Sequence, residues 1–294
     1  MGGKDTVTKT LESYEPVFAD IVNVLLFDGE RIINADDLSP ADKDSQYKVS
    51  GEIKSQERDV SKIWKNAHIN IAFIGIENQV VPDRLMPLRI MNYDGAVYRN
   101  QYKDVQGQSD KICYPVITLV IYFGKKEWTY GKNLHSCLRI PESLLPFVND
   151  YKMNFYSIKD MKPEQIQKFR SDFRAIAEFF NALNNGTDYH PSDQALKYPE
   201  ETLDMISVFS EDDRFRDEYN ANVVNMKGEI TMCEIYDKIL MEGEAKGRAE
   251  GRAEGRLAVL ADLVKNGIIT IMQAAEQEKM SVEEFTKKAG LVVG

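Results

Sequence analysis

Three cysteines (Cys113, Cys137, Cys233) and three histidines (His68, His135, His190) are all that the 294 residues contain of either type. The cysteines are odd in number, far apart and never in CxxC spacing, which argues against a disulfide framework and against structural zinc. The histidines form no HxxxH pair, so neither a histidine metal site nor a Ser-His-Asp triad is expected. Long apolar runs are missing as well. The longest, Val116 to Phe123, falls far short of the roughly 20 residues that span a bilayer. The opening residues, Lys4 to Lys9, are polar and carry no signal-peptide pattern. These absences lead us to expect a soluble, cytoplasmic protein with reduced thiols and no membrane partner.

Basic residues are in deficit: 37 Lys and Arg against 47 Asp and Glu give a net charge of −10. Phosphate binding rests on Lys and Arg, so broad affinity for nucleic acid is disfavoured. The charge is uneven, however. Between Arg84 and Arg139 nine basic residues face four acidic ones, a local net of +5, which reads either as a solvated surface or as a phosphate-binding stretch.

What is present alternates between helical and strand patterns. Glu15 to Phe27 repeats apolar residues at helical spacing and stops at Asp28-Gly29. Strands are expected at Tyr47–Ile53 and Arg58–Trp64. Ile69 to Val81 is the clearest strand, a dense apolar run suited to burial on both faces of an α/β sheet. A helix is expected from about Asp83 to Lys103 with Asp83 as N-cap, then a second buried strand, Tyr114 to Phe123, then a short one at Met153–Ile158. Helices follow at Pro163–Leu183, Glu200–Phe209 and Glu229–Met241. This order implies a mixed sheet flanked by helices.

The tract Glu242 to Arg256 has glycine at every fourth position, 243, 247, 251 and 255. Each helical glycine costs roughly 1 kcal/mol relative to alanine, so the tract reads as a weak solvated helix or a linker. Three small helices close the chain: Val259–Lys265, Thr270–Gln277 and Ser281–Ala289, the last with Ser281 and Glu284 as a capping box. Ala274, Ala275, Met280, Ser281 and Phe285 have the look of a helix-turn-helix fragment. The mixed charges of Glu283, Glu284, Lys287 and Lys288 give no DNA-reading face, so a packing or self-association module is preferred.

Glu77 and Gln79 end the best strand two residues apart, hence on one face. A carboxylate closing an apolar strand is costly to bury unpaired, so it should reach solvent or meet a charged ligand. Asp59 lies eighteen residues earlier, room for a strand, a turn and a return strand that set the two acids side by side. Such a pair is what a divalent metal needs. Asp20, on the first helix, is a candidate third acid. Two blander readings stay open: Asp59 as a partner of Arg58, and Asp20 as a plain helix residue.

Five segments in order then carry a resemblance: Phe18-Ala19-Asp20-Ile21-Val22-Asn23 with Leu25-Leu26-Phe27; Glu57-Arg58-Asp59-Val60; Ile76-Glu77-Asn78-Gln79; Met86-Pro87-Leu88-Arg89 with Tyr93-Asp94; and Tyr114-Pro115-Val116 with Val120-Ile121-Tyr122-Phe123-Gly124. The chain resembles the recombination-promoting nuclease and putative transposase family of the PD-(D/E)XK superfamily. The likeness covers roughly residues 15 to 180 well. It implies an α/β, restriction-endonuclease-like mixed sheet flanked by helices, with a helical C-terminal extension. Asp59 takes the place of the motif Asp, Glu77 that of its (D/E), and Gln79 stands where most of the superfamily has lysine. Glutamine can orient water but cannot neutralise charge as lysine does.

The resemblance further implies an Mg²⁺-dependent DNA endonuclease in which Mn²⁺ can substitute. Asp59, Glu77 and Gln79 would be catalytic, and Asp59, Glu77 and Asp20 would hold the metal. Arg89, Tyr93, Lys125 and Lys126 would contact DNA. The expected organisation is a nuclease-like domain over 1–185, a helical extension over 186–241, a charged linker helix over 242–256 and a tail module over 257–294, with homo-oligomerisation through the C-terminal helices. A catalytically weak scaffold on the same fold is the alternative, and a transposition component that also joins strands is a third reading.

Overall fold

A computed structural model describes residues 11–41, 45–49, 52–56, 59–67, 69–222 and 230–291; of 45–49 and 52–56 only the backbone is considered. Two compact units emerge, Met1–Ile235 and Tyr236–Gly294.

The first unit opens with helix α1, Glu15–Phe27. Its end is set where the sequence placed it: Asp28 is left-handed at φ 53°, and Gly29, at φ +88°, donates its amide to the Asn23 carbonyl. Asn23 is buried and clamps the returning chain, giving its amide to Ile33 O and accepting from the amides of Ile32 and Ile33.

Among the described residues seven strands follow: β1 (Leu38–Pro40), β2 (Ser45–Val49), β3 (Glu52–Gln56), β4 (Val60–Asn66), β5 (Ile69–Gln79), β6 (Val116–Tyr122) and β7 (Asn154–Ser157). The single strand expected at Tyr47–Ile53 is instead an antiparallel pair, β2 with β3, forming its own two-stranded sheet. The strand expected from Arg58 is β4; Arg58 lies outside the described residues. The main sheet has the order β1-β4-β5-β6-β7, antiparallel through β1, β4 and β5 and parallel through β5, β6 and β7.

Parallel neighbours cannot be joined by a tight turn, and helix α2, Met86–Val105, makes the crossover between β5 and β6. It starts three residues later than expected: Leu85 holds the cap position, and Asp83 Oδ1 accepts the Leu85 amide at 2.8 Å. Met86, Ile90 and Tyr93 of α2 pack on Val120 and Met153. On the opposite side chain set, Ile74, Ile76, Leu119 and Ile121 are buried. Beyond β6, the ring of Phe123 meets Phe173 and Phe180 of α4 (Phe173–Asn185). This is the mixed α/β sheet with flanking helices that the strand order implied.

The helix expected over Pro163–Leu183 is broken into α3 (Pro163–Ile166) and α4. Asp20 supplies the cause. Its Oδ2 accepts the amides of both Arg170 and Ser171 at 2.7 Å, which takes those donors out of any helical ladder. Asp172 similarly holds the amides of Lys197 and Tyr198, just ahead of α5 (Pro199–Ser210). Helix α6 spans Arg214–Asn222.

A single 34-residue helix, α7 (Met232–Lys265), replaces the separate segments expected there; Glu229, where the first was to begin, lies outside the described residues. Alanine, glutamate and arginine between the glycines, with pairs such as Arg248–Glu244 at 3.1 Å, outweigh the glycine cost. In the second unit α8 (Ile271–Gln277) and α9 (Val282–Lys288) both carry capping boxes, at Thr270/Gln273 and Ser281/Glu284. Leu260, Ala274, Ala275 and Phe285 form its core.

Replacing Asp20 by alanine leaves the Arg170 and Ser171 amides without their acceptor. Urea unfolding of Asp20→Ala should show a loss of about 1–3 kcal/mol, with the parent slope.

Candidate active site

The strand register brings the two motif acids together. Val60 lies opposite Ile76 in the antiparallel pair, so one residue further out Asp59 faces Glu77. Glu77 in turn pairs with Val120, and Val120 with Phe155. Because Val120 packs under α2, this whole row, Glu77 included, looks toward that helix. Asn78 donates its backbone amide to Asp59 Oδ2 at 2.7 Å, which ties the end of β5 to the residue that opens β4.

Asp59 is 9% exposed and Glu77 is 3% exposed. At that depth a carboxylate needs compensation, and α2 delivers it. Arg89 Nη2 lies 2.5 Å from Glu77 Oε1, while Gln79 Nε2 donates to the same oxygen at 3.3 Å. The Arg89 fork also donates to Tyr93 Oη at 3.3 Å and to Asp83 Oδ2 at 3.4 Å. Burial works against the charge on Arg89, but Tyr93 and Glu77 more than offset it and hold its pKa above the ordinary value. The Tyr93 hydroxyl is pushed up, by burial first and then by the negative charges of Glu77 and, more weakly, Asp59, with Arg89 opposing. The charges of both acids therefore reach one phenol.

A third acid is present, and it is one that the sequence did not single out. Glu12 sits in the helical turn before α1 with no exposed surface. Its Oε2 accepts from Asn78 Nδ2 at 2.7 Å, and its Oε1 is buried without a hydrogen-bond partner among the described residues. Burial, opposed by the Asn78 hydrogen bond and reinforced by the charge of Asp59, raises its pKa to about 8. Nothing in Leu11-Glu12-Ser13 marks it locally; only the fold brings it beside Asn78.

Other residues named from the sequence lie elsewhere. Asp20 serves the Arg170 and Ser171 amides and lies 3.7 Å from Arg31. Lys125 and Lys126 are exposed in the loop after β6, where the Lys126 carbonyl accepts the Tyr122 hydroxyl at 2.7 Å. Arg89 and Tyr93 do come together, at Glu77.

Among the described residues, no group of three or more His, Cys, Asp or Glu side chains is arranged to hold a metal ion. The donor chemistry nonetheless fits a hard divalent cation. Mg²⁺ is commonly held by one or two carboxylates with water completing the shell, and Asp59 and Glu77 offer that pair from neighbouring strands. The buried, unbonded Oε1 of Glu12 is a further oxygen on the Asp59 side. The competing cation is Arg89, which occupies Glu77 Oε1.

A family model described as "Putative transposase, YhgA-like" matches residues 29–203, a span that takes in Asp59, Glu77, Gln79, Arg89 and Tyr93. No curated protein matches the chain, and no solved structure does. No helix among the described residues is long and apolar enough to cross a membrane.

The pKa of Glu12 gives a pH test with a definite sign. Folded, it titrates near 8 against a reference of 4.5, so between those values the native state keeps a proton that the unfolded chain releases. Stability from this group is complete below about 4.5 and lost as pH rises through 8. In EDTA-containing buffer, Glu12→Gln should match the parent near pH 5 and exceed it by a few kcal/mol, on the order set by such a shift, above pH ~8. Parallel stability curves across that window would contradict the assignment.

Proposed function

The chain belongs to the YhgA-like putative transposase family, within the PD-(D/E)XK superfamily, and on that footing we propose that it is a metal-dependent DNA endonuclease hydrolysing phosphodiester bonds. The observation that carries the reading is the buried pair Asp59 and Glu77, facing each other across β4 and β5 under a helix that presents Arg89 and Tyr93. A purely structural strand end would have no need to desolvate two acids there.

Each residue has a definite task in this reading. Asp59 and Glu77 would hold Mg²⁺, for which Mn²⁺ would substitute, and the bound metal would supply an activated water and charge neutralisation at the phosphate. Asp59 is held in place by the Asn78 amide. Gln79, already hydrogen-bonded to Glu77, orients water by its amide and adds no charge. Arg89 serves the free protein as the counter-charge of Glu77. With Glu77 taken up by a metal, Arg89 would be left to a phosphate oxygen, which its planar fork suits. Tyr93 keeps the guanidinium aligned through its hydroxyl. Lys125 and Lys126, exposed past the end of β6, contact the DNA backbone farther out. A role in recombination or in a mobile element follows from the family.

One observation favours a second reading, a weakly catalytic or inactive nucleic-acid-binding scaffold: Arg89 fills the position beside Glu77 that a metal would need, and Gln79 stands where lysine is usual. The two readings separate experimentally. Purified full-length protein should nick supercoiled plasmid in Mg²⁺ or Mn²⁺ and not in EDTA. Glu77→Gln and Asp59→Asn should each cut at least about 100-fold more slowly, the scale of losing a preorganised charged group, with unchanged circular dichroism. Equal cutting by parent and variants would defeat the endonuclease reading. Plasmid binding with no metal-dependent cutting by the parent would favour the scaffold.

A further inference from the structure

A second cavity lies between α1 and the two turns that lead into α4 and α5, and none of the residues lining it belongs to the candidate active site. It measures about 260 Å³, below the roughly 300–1,000 Å³ of sites for drug-sized molecules. Three cations line it from three separate stretches of chain: Arg31, Arg170 and Lys197. Two acids line it as well, Asp20 and Asp172, at 4% and 2% exposure. Their oxygens are largely spent on the backbone. Asp20 Oδ2 accepts the amide of Arg170 itself at 2.7 Å, and Asp172 Oδ1 accepts the amide of Lys197 itself at 3.0 Å. Asp172 Oδ2 takes the Tyr198 amide at 2.6 Å, and Asp20 Oδ1 stands 3.7 Å from Arg31 Nη2.

We propose that this cavity is a phosphate-binding site, which holds one phosphate dianion, free or as a monoester, between Arg31, Arg170 and Lys197. Each buried acid fixes the backbone of the cation it serves. The side chains of Arg170 and Lys197 stay exposed, and neither makes an ion pair or a side-chain hydrogen bond among the described residues. Ordering long charged side chains from a mobile surface costs entropy. Here the main chain beneath them is already held, which is how a preorganised site is built. The wall beside Lys197 is fixed too: its Nζ lies 5.4 Å from the Tyr198 ring, on which Tyr14 stacks at 3.8 Å.

The charge selects the ligand. Three cations against two carboxylates leave the cavity net positive, and the carboxylates are turned to amides. A phosphomonoester carries roughly −1.5 to −2 charge and three acceptor oxygens, which matches three donors from three directions. An arginine fork suits such oxygens, and lysine adds a point charge. A carboxylate would bring one charge and two oxygens. The inference rests on this cavity alone and not on the nuclease reading.

The test is calorimetric titration of the full-length protein with inorganic phosphate, in EDTA and at fixed ionic strength. The parent should bind with a dissociation constant of about 1 mM or tighter, and Arg170→Gln and Lys197→Gln should each raise it at least about tenfold with unchanged circular dichroism. Competition then identifies the source of the group. Displacement of phosphate by a 5′-phosphorylated oligonucleotide, but not by the same strand ending in a 5′-hydroxyl, assigns it to a DNA end; displacement by neither assigns it to free phosphate. Both results support the site. Equal displacement by the two strands would point to backbone phosphodiesters and overturn a site for the dianion. The absence of saturable heat at about 10 mM phosphate would overturn it as well, and so would an affinity unchanged in both variants. Loss of binding in Arg89→Gln alone would place the phosphate beside Glu77 instead.

Discussion

The contact between Arg89 and Glu77 is the constraint around which the first unit is organised. A carboxylate at 3% exposure is unstable unless something positive or strongly donating lies against it. The strand supplies only the uncharged amide of Gln79, at 3.3 Å, and the neighbours in the row are Val120 and Phe155. The positive partner comes from α2. Satisfying Glu77 thus fixes the rotation of α2 about its axis: with Arg89 turned to β5, Met86 and Tyr93, one turn away on either side, and the adjacent Ile90 are committed to the apolar row. Asp94 then reaches Thr118 and Tyr151, tying the helix to β6 and to the segment before β7. One charge pair and one row of apolar contacts determine the same orientation.

Much of this architecture is written in local pattern. Dense apolar runs at Ile69–Val81 and Tyr114–Phe123 became the two central strands, because burial on both faces leaves no room for polar alternation. The stop at Asp28-Gly29 and the Ser281 capping box also follow from nearby residues alone. What local pattern could not reveal is where distant donors go. Pro163–Leu183 has the composition of one helix, and nothing within it announces the break. The break is imposed by Asp20, 150 residues away, which takes the Arg170 and Ser171 amides. Glu242–Arg256 reads locally as a weak helix or a linker, and the structure has the helical form, continuous with the segments on both sides. The helix is continuous because the good helix formers on both sides of each glycine act cooperatively.

The candidate site divides along the same line. Alternation along β5 put Glu77 and Gln79 on one face, and the distance back to Asp59 matched a return strand; both inferences use only the period of a strand. The identity of the third acid does not follow from any period. Asp20, a candidate from its place on the first helix, gives its carboxylate to the Arg170 and Ser171 amides. Glu12, unmarked in sequence, reaches the end of β5 because Asn78 holds it there. An acid near a metal motif is easy to nominate and hard to assign until its hydrogen bonds are known. Arg89 gives the complementary lesson: its spacing with Tyr93 placed the two on one helix face, but that their shared target in the folded chain is a carboxylate is a tertiary fact.

Helix α2 therefore carries two obligations that act on the same backbone. Its inner side must hold a guanidinium against a buried acid, and must be able to release it if a metal and a phosphate are to enter. Rigid positioning favours the first and opposes the second. Asp83 and Tyr93 bear on that balance, because both accept from the same guanidinium fork that touches Glu77. A phosphate oxygen arriving in place of the carboxylate would meet a donor whose orientation these two contacts already hold, which is what in-line placement requires.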